Sequence, residues 1–214
     1  MNADATTAEP TVFVVDDDAA VRDSLSWLIE SAGLKVEAFG SAEDFLTAYH
    51  SSCPGCLVLD MRMPGMSGIA LQKQLAARKI EIPIIFITAH ASVPTAVHAM
   101  RAGAVDFLTK PFREETLLDR IRQCMAQANE RHQRHAAQAD MLARFALLTP
   151  REREVLHDVV AGKPNKVIAA ERKISQKTVE AHRAKMMQKL QARSLAELMR
   201  MVFASQESLR RNPD

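Results

Sequence analysis

The sequence predicts an α/β domain followed by an all-helical domain, and two observations support this division. Five short apolar runs alternate with amphipathic stretches before residue 125, whereas the periodic segments after residue 147 are all helix-like. The charge changes at the same place, because residues 1–125 hold 11 Lys and Arg against 16 Asp and Glu, while residues 147–214 hold 14 against 8. An acidic first half and a basic second half indicate different partners, and the second partner could be a polyanion.

The composition argues against a membrane or secreted protein. No apolar run approaches the roughly 18 residues that cross a bilayer, and residues 1–10 lack the basic patch and apolar core of a signal peptide. We therefore expect a cytoplasmic protein with no membrane partner. Cys53 and Cys56 form a C-x-x-C pair that could indicate a redox or metal site, but no second Cys or His pair has matching spacing. Reduced thiols in a cytosolic protein are the simpler interpretation.

Strands are predicted at the five apolar runs, which are residues 11–15, 35–39, 56–59, 84–88 and 105–109. Three of the runs are almost continuously β-branched or aromatic, as is typical of strands buried on both faces. Helix-like stretches lie between the runs at residues 19–32, 42–50, 67–78 and 92–102. Strands that alternate with helices predict a parallel sheet covered by helices on both faces.

The rest of the chain is predicted to be helical. A fifth helix begins near Arg113, and residues 126–146 are polar and alanine-rich without Gly or Pro, which favours a helix joining the domains over a flexible linker. Thr149, Pro150 and Glu152 supply the N-cap, N1 and N3 residues of a capping box. Helices are then predicted at residues 150–161, 165–173, 176–190 and 195–205, and residues 206–214 are expected to fray.

Reactive side chains stand where the predicted strands end. Asp16 and Asp17 follow the first strand and Asp60 the third, while Thr88 and Lys110 lie at the ends of the fourth and fifth. In a doubly wound sheet of order 2-1-3-4-5 these positions lie beyond the carboxyl ends of the strands, so the side chains converge. Three carboxylates held together need a cation, and Mg²⁺ accepts such ligands. The set predicts phosphoryl transfer to an aspartate, although aspartates after strands also serve as caps and turns.

Four segments of this region resemble the receiver domain of bacterial response regulators, in order, across about residues 10–125. They are VFVVDDD, LVLDMRMPGMSG, FITAHA and DFLTKPF. The resemblance implies a flavodoxin-like (βα)5 fold in which Asp60 is the phosphoacceptor. It also implies a Mg²⁺ site made by Asp17, Asp60 and the backbone carbonyl of Arg62, with Asp16 contributing through water.

The same resemblance gives roles to side chains around the phosphoacceptor. Lys110 would bind one phosphate oxygen and Thr88 would donate its hydroxyl to another, so that both assist catalysis and Thr88 also acts in switching. Phe107 would be the aromatic switch residue, and the Lys110–Pro111 bond is expected to be cis. His90 could position water near the phosphate, but an exposed loop histidine is the simpler interpretation.

The helices on either side of Ile174 and Ser175 fit a helix-turn-helix whose second helix is the recognition helix. Spacings of three and four place one set of its residues on a packed face, namely Val179, His182, Met186 and Leu190. The opposite face is small and polar, as suits a major groove, and it consists of Lys177, Glu180, Ala181, Ala184 and Gln188. Phosphate contacts are expected from the flanks and helix N-termini, at Lys166, Thr178, Arg183 and Lys185. A generic helical bundle with a solvated charged face is the alternative.

Residues 146–204 resemble the LuxR-type helix-turn-helix of NarL/FixJ response regulators, through LTPRERE, NKVIA, TVE, HR and KL. By this resemblance Glu180, Ala181 and Ala184 face the bases, while the DNA backbone is contacted by Lys166, Thr178 and Arg183. One departure is Arg172, where the family usually has an apolar residue, mostly Leu. Either the stem of Arg172 covers the gap between the helices, or the short helix is shifted.

Together the two resemblances imply a DNA-binding response regulator, with a receiver at 10–125, a helical linker at 126–146 and a four-helix DNA-binding domain at 147–206. Its expected partners are a sensor histidine kinase, promoter double-stranded DNA, a second copy of itself when phosphorylated, and RNA polymerase. It would catalyse its own phosphorylation and slow dephosphorylation, but no reaction of a separate metabolite. Two other classes remain as alternatives. One is a phosphatase or phosphotransfer enzyme, whose substrate cap and D-x-D signature are not evident in the sequence, and the other is a module that binds protein or RNA.

Overall fold

The computed structural model describes residues 9–49, 53–89 and 92–211, and the chain divides into two compact units between Gln133 and Arg134. The first unit is α/β and the second is helical, so the predicted fold class is confirmed. None of the described helices is long and apolar enough to span a membrane.

The first unit is built on a parallel sheet with the predicted strand order β2-β1-β3-β4-β5. Its strands are β1 (Thr11–Val15), β2 (Lys35–Phe39), β3 (Gly55–Asp60), β4 (Ile84–Thr88) and β5 (Asp106–Thr109). The connecting helices are α1 (Ala19–Ser31), α2 (Ala42–Ala48), α3 (Gly68–Ala77) and α4 (Val93–Arg101). Every predicted strand is present within one residue at each end. His50, the last residue of the predicted second helix, and His90 lie outside the described residues.

Alternate residues of the strands face opposite sides of the sheet and enter two separate cores. Phe13 and Leu57 belong to one core, which α2, α3 and α4 cover. Val14 and Val58, one residue further along each strand, belong to the other, which α1 and α5 (Glu114–Ala146) cover. Because helices cover both faces of the sheet, β1, β3 and β4 are almost continuously apolar.

Residues 126–146, which the sequence predicts to be a helical linker, are helical, because α5 runs unbroken over 33 residues. The second unit continues with α6 (Pro150–Val160), α7 (Asn165–Arg172), α8 (Gln176–Leu190) and α9 (Leu195–Arg211). The expectation of fraying from residue 206 is wrong for residues 206–211, which remain in α9. No Gly or Pro interrupts the sequence between Leu195 and Arg211, so nothing local ends the helix earlier.

The helical unit closes around one apolar core. Buried side chains from all four helices meet in it, among them Val155, Ile168, Val179 and Leu198. The predicted capping box is present, since the Glu152 N–H donates to Thr149 Oγ1 at 3.3 Å and Glu152 Oε2 accepts from the Thr149 N–H at 2.9 Å. These two bonds satisfy donors that the first turn of α6 would otherwise leave unpaired.

The two cysteines of the C-x-x-C spacing lie in different surroundings. All three thiols are free. Cys56 of β3 and Cys124 of α5 are both buried in the core that α1 and α5 cover. The Cys53 thiol instead lies 3.4 Å from the Glu9 carbonyl oxygen. All three therefore stand as free thiols, and reduced cysteines remain the prediction.

Candidate functional site

The polar cluster of the first unit lies at the carboxyl edge of its sheet. Asp16 follows β1, Asp60 ends β3, Thr88 ends β4 and Lys110 follows β5. Asp16 is 1% exposed, Asp60 7% and Thr88 1%, so burial has removed most of the water from these polar groups. The parallel arrangement of the strands brings all four residues to one edge, as the sequence predicted.

Lys110 holds the cluster together through its ammonium group. Its Nζ atom lies 2.7 Å from Asp16 Oδ2 and 3.3 Å from Asp60 Oδ1. The two bonds join residues 94 and 50 positions apart in sequence. The Lys110–Pro111 peptide bond is cis, as the resemblance implied. Two buried carboxylates thus share one cation.

The remaining carboxylate oxygens are held by the backbone of the following loops. Asp16 Oδ1 accepts from the Asp18 N–H at 2.9 Å, and Asp60 Oδ2 accepts from the Arg62 N–H at 2.7 Å. The start of α3 comes close behind Asp60, because a Cβ atom on Gly68 would lie only 2.4 Å from the Asp60 carbonyl oxygen. Any side chain at position 68 would therefore push the loop away from Asp60.

The electrostatics of the cluster are unbalanced. Burial raises the pKa of the Asp60 carboxyl, and the nearby charge of Asp16 raises it further, against the opposing effects of the Arg62 N–H and the Lys110 ammonium. Burial alone would lower the pKa of Lys110, but its bonds to Asp16 and Asp60 reverse the direction and raise it. The lysine stays charged while Asp60 is left short of positive partners.

The predicted third carboxylate, Asp17, is exposed in the loop after β1. Among the described residues, no group of three His, Cys, Asp or Glu side chains is already arranged to hold a metal ion. The donor set nevertheless suits a hard divalent cation, because two carboxylates with one ammonium between them leave excess negative charge at a buried site. The metal ligands Asp16, Asp17, Asp60 and Arg62 remain predictions.

The two predicted switch residues lie beside the cluster on neighbouring strands. Thr88 is buried, and its carbonyl oxygen accepts from the Lys110 N–H at 2.8 Å. Phe107 is half-buried and packs against the core beneath α4, opposite Phe86 in the ladder between β4 and β5. A shift of Phe107 would therefore be felt by the core that contacts α4.

In the helical unit, α8 has the two faces that its sequence predicted. Ser175 caps it by accepting from the Thr178 N–H at 3.0 Å. Val179, Met186 and Leu190 are buried, and His182 is half-buried. The opposite face is exposed along its length, at Lys177, Glu180, Ala181, Ala184 and Gln188. An exposed face of small and polar side chains on a capped helix is compatible with insertion into a groove.

The flanking residues predicted to contact phosphates differ in how freely they project. Lys166 and Lys185 are exposed. Arg183 is half-buried, and its Nη1 donates to Asn165 Oδ1 at 2.8 Å, which ties α8 to the start of α7. The Thr178 and Ser175 hydroxyls lie 2.8 Å apart within the first turn of α8. Of these residues, only the two lysines project freely.

Arg172 forms ion pairs with two acidic side chains of α6. Its Nε lies 2.8 Å from Asp158 Oδ2 and its Nη1 3.2 Å from Glu154 Oε2, both on α6. Asp158 is 1% exposed and also lies 2.9 Å from Lys163 Nζ. The hydrogen bond from Arg172 lowers the pKa of Asp158. An ion pair thus stands where the family usually packs an apolar side chain.

The sequence pattern did not indicate Asp158 as the partner of Arg172. One signal could have revealed it, because Asp158 interrupts an apolar stripe formed by Val155, Leu156 and Val159 on α6. A second missed contact joins Lys189 of α8 to the buried Glu152, at 2.7 Å. The first pair joins α7 to α6, and the second joins α8 to α6.

Comparison with known proteins agrees with this geometry. Residues 12–122 match the family model of the response regulator receiver domain, and residues 146–202 match that of the bacterial regulatory proteins of the luxR family. The polar edge of the sheet lies within the first match, and α8 within the second.

Several relatives are similar over nearly their whole length. The transcriptional regulatory protein FixJ of Bradyrhizobium diazoefficiens is 46% identical, over 92% of this chain and 96% of that protein. The response regulator protein TodT of Pseudomonas putida is 43% identical, over 92% and 87%. The solved structure of the response regulator StyR has a TM-score of 0.88 and 51% identity, covering 92% of this chain and all of that one.

Proposed function

This chain belongs to the DNA-binding response regulators of the NarL/FixJ type, and we propose that phosphorylation of Asp60 by a histidine kinase switches its binding to promoter DNA. One observation carries the proposal: the Lys110 ammonium lies between the buried carboxylates of Asp16 and Asp60 at the carboxyl edge of the sheet. The receiver would span residues 10–125, the linker 126–146 and the DNA-binding domain 147–206.

In the transfer step, a carboxylate oxygen of Asp60 attacks the phosphorus of a phosphohistidine on the kinase. The phosphorus–nitrogen bond breaks, the imidazole leaves with the electron pair, and Asp60 becomes an acyl phosphate. Lys110 is within reach of Asp60 and so can follow the charge onto a phosphoryl oxygen. Asp17, Asp60 and the Arg62 carbonyl, with Asp16 through water, would hold Mg²⁺, whose charge would offset that of the transferred group. Slow hydrolysis of the acyl phosphate resets the protein.

The switch would run from Thr88 to α4. The Thr88 hydroxyl donates to a phosphoryl oxygen, and Phe107 moves into the space that Thr88 leaves. Because Phe107 packs on the core beneath α4, this movement favours another position of that helix. Phosphorylation then acts as a shift between two populations of the receiver.

A second copy of the chain is the proposed partner of α4. Val93, Val97 and Met100 are 78%, 43% and 44% exposed, and spacings of four and three place them on one helix face. An apolar stripe that is self-complementary suits a symmetric dimer. Val97→Lys should prevent dimerisation of the phosphorylated chain in sedimentation while leaving its phosphorylation intact.

DNA would be bound by the exposed face of α8. We propose that Glu180, Ala181 and Ala184 face base edges in the major groove. Phosphate contacts are proposed for Lys166, Lys177, Thr178, Arg183 and Lys185. A dimer would place two copies of α8 on DNA half-sites about one helical turn apart. RNA polymerase, bound to the same promoter, is a further proposed partner.

The proposal is tested by DNA binding with and without acetyl phosphate and Mg²⁺, on a duplex selected from a random library. Phosphorylation should tighten binding by roughly 5- to 150-fold. Asp60→Asn should lose this response, whereas the matched control Asp23→Asn, an exposed aspartate on α1, should keep it. A full response in Asp60→Asn would overturn the proposal.

A further inference from the structure

Arg22 ties helix α1 back to the loop that carries the acidic side chains at the end of β1. Its Nη1 atom donates to the carbonyl oxygen of Asp16 at 2.8 Å, in a partly buried position. That carbonyl belongs to the peptide bond between Asp16 and Asp17. Because a peptide unit is planar, a hydrogen bond to its oxygen restrains the orientation of the whole unit, and with it the point from which the Asp17 side chain leaves the backbone.

The guanidinium of Arg22 also lies against the loop that follows β2. A Cβ atom on Gly40 would be 3.6 Å from Arg22 Nη1, which is an ordinary contact distance. The same two loops are joined through the backbone, because the Asp16 N–H donates to the Phe39 carbonyl oxygen at 3.3 Å. Arg22 therefore lies between the loops after β1 and β2, in contact with both.

Hydrogen bonds fix the residues on both sides of Asp17. The Asp16 carboxylate accepts from the Asp18 N–H at 2.9 Å, and the Asp18 carboxylate caps α1 by accepting from the Ala20 N–H at 2.9 Å. Asp17 is exposed between them. The direction of its side chain therefore depends on the backbone that carries it, and Arg22 holds the first peptide unit of that backbone.

From these contacts we propose that Arg22 is a positioning residue for the metal site. Through the Asp16 carbonyl it would hold the Asp16–Asp17 peptide in the orientation in which the Asp17 carboxylate can serve as a ligand of Mg²⁺. This inference rests on the Mg²⁺ site of the function proposed above, and it concerns the affinity for the metal rather than the phosphoryl transfer. Residues that orient the ligands of a metal typically contribute roughly 10- to 100-fold to its affinity.

The charge of Arg22 and its positioning role predict opposite results when the residue is replaced. The guanidinium is a cation beside a site for another cation, so by charge alone its removal should tighten Mg²⁺ binding. By positioning, its removal should weaken binding, because the peptide that carries Asp17 is released. Arg22→Met removes the charge and the hydrogen-bond donor while it keeps most of the apolar stem. The direction of the change in Kd therefore separates the two effects.

The inference is tested by titrating Mg²⁺ into the full chain without a phosphodonor, with the Kd taken from the backbone amide NMR shifts of Asp17 and Asp18. The Kd of Arg22→Met should be roughly 10-fold higher than that of the wild type. Arg78→Met, which removes an exposed arginine at the end of α3, is the matched control and should leave the Kd unchanged. An unchanged or lower Kd in Arg22→Met would overturn the inference. A wild-type chain without a saturable shift would instead refute the Mg²⁺ site of the proposed function.

A double-variant cycle with Asp17→Asn separates positioning of Asp17 from general loosening of the receiver. If Arg22 acts through Asp17, Arg22→Met should raise the Kd roughly 10-fold in the wild-type background but less than about 2-fold in the Asp17→Asn background. An equal rise in both backgrounds would show that Arg22 supports the receiver as a whole, and it would overturn the positioning role.

Discussion

Both units of this protein bury carboxylates beside cations, but they balance the charges differently. In the receiver, Asp16 and Asp60 share the single ammonium of Lys110, and burial raises the pKa of Asp60. In the helical unit, Asp158 has both Arg172 and Lys163 as partners, and its pKa is lowered. A carboxylate with sufficient partners holds helices together, whereas one left short of positive charge is available for chemistry.

The largest effect is expected at the shared cation. Lys110→Met removes the group proposed to follow charge onto the phosphoryl oxygens, so phosphorylation by acetyl phosphate should slow about 100-fold. Phosphorylation is measured by intact-mass spectrometry over time. Lys73→Met, a change of an exposed lysine on α3, is the matched control and should leave the rate unchanged. If Lys110→Met were phosphorylated as fast as the wild type, Lys110 would have only a structural role. The receiver and the helical unit would then not differ in how they use their buried ion pairs.

Removal of a cation from the helical unit should lower the stability of that unit, whereas its removal from the receiver should slow a reaction. Arg172→Leu removes one cation from the buried Asp158 and should lower the Tm of this unit by roughly 10 °C. Adding Asp158→Leu should restore most of the loss, because an apolar pair replaces the ion pair. Calorimetry of the full chain measures both. A double variant as unstable as the single one would show that the ion pair is not interchangeable with apolar packing.

Acid titration compares the two units directly. Glu152 and Asp158 have lowered pKa values, Glu152 chiefly through its hydrogen bond from Lys189, so their stabilisation is present above their ordinary values of 4.5 and 3.8 and is lost below them. Burial raises the pKa of Asp60, so the ionised carboxylate destabilises the folded receiver at neutral pH. This destabilisation is lost as the pH falls towards 3.8, the ordinary pKa of an aspartate.

Hydrogen exchange, resolved by residue, should therefore show the helical unit losing protection below about pH 4.5. The stability difference between the wild-type receiver and Asp60→Asn should shrink as pH falls from neutrality towards 3.8, the ordinary pKa of an aspartate. Asp23→Asn should show no such trend. A difference for Asp60→Asn that grows on acidification would contradict the charge imbalance assigned to the receiver.

The smallest effect is expected at the exposed cations near α8. Lys166→Ala should weaken DNA binding several-fold, by a similar factor for every sequence, and reduce the slope of log affinity against log salt by about 1. Arg200→Ala, at an exposed position on α9, is the control and should leave the slope unchanged. If Arg200→Ala changes the slope as much as Lys166→Ala, the DNA surface is not centred on α8.

The sequence predicted the parts of this account that depend on local pattern and on strand order. The five strands, their parallel order and the convergence of Asp16, Asp60 and Lys110 follow from alternating periodicity and from polar residues at strand ends. The continuous helix through residues 126–146 follows from the absence of Gly and Pro. Asp17 adjoins Asp16 in sequence, yet it is exposed, so spacing alone does not fix where a loop side chain points.

Local sequence periodicity does not predict contacts between residues that are distant in sequence. Arg172 was recognised as unusual, but its pairing with Asp158 depends on how α6 and α7 cross, which no periodicity reports. The hydrogen bond from Gln72 Nε2 to the carbonyl oxygen of Ala99, 3.2 Å long, depends likewise on how α3 packs against α4. In both cases a polar residue within an apolar stripe is visible in sequence, and only the packed structure shows its partner.

The central claim is that Asp60 alone receives the phosphoryl group. Its most direct test is to treat the chain phosphorylated by acetyl phosphate with borohydride, which converts an aspartyl phosphate to homoserine, and to locate the change by peptide mass spectrometry. The account predicts homoserine at position 60 and nowhere else. Homoserine at Asp16 or Asp17, or an unmodified Asp60 in a chain that had gained a phosphoryl group, would contradict it.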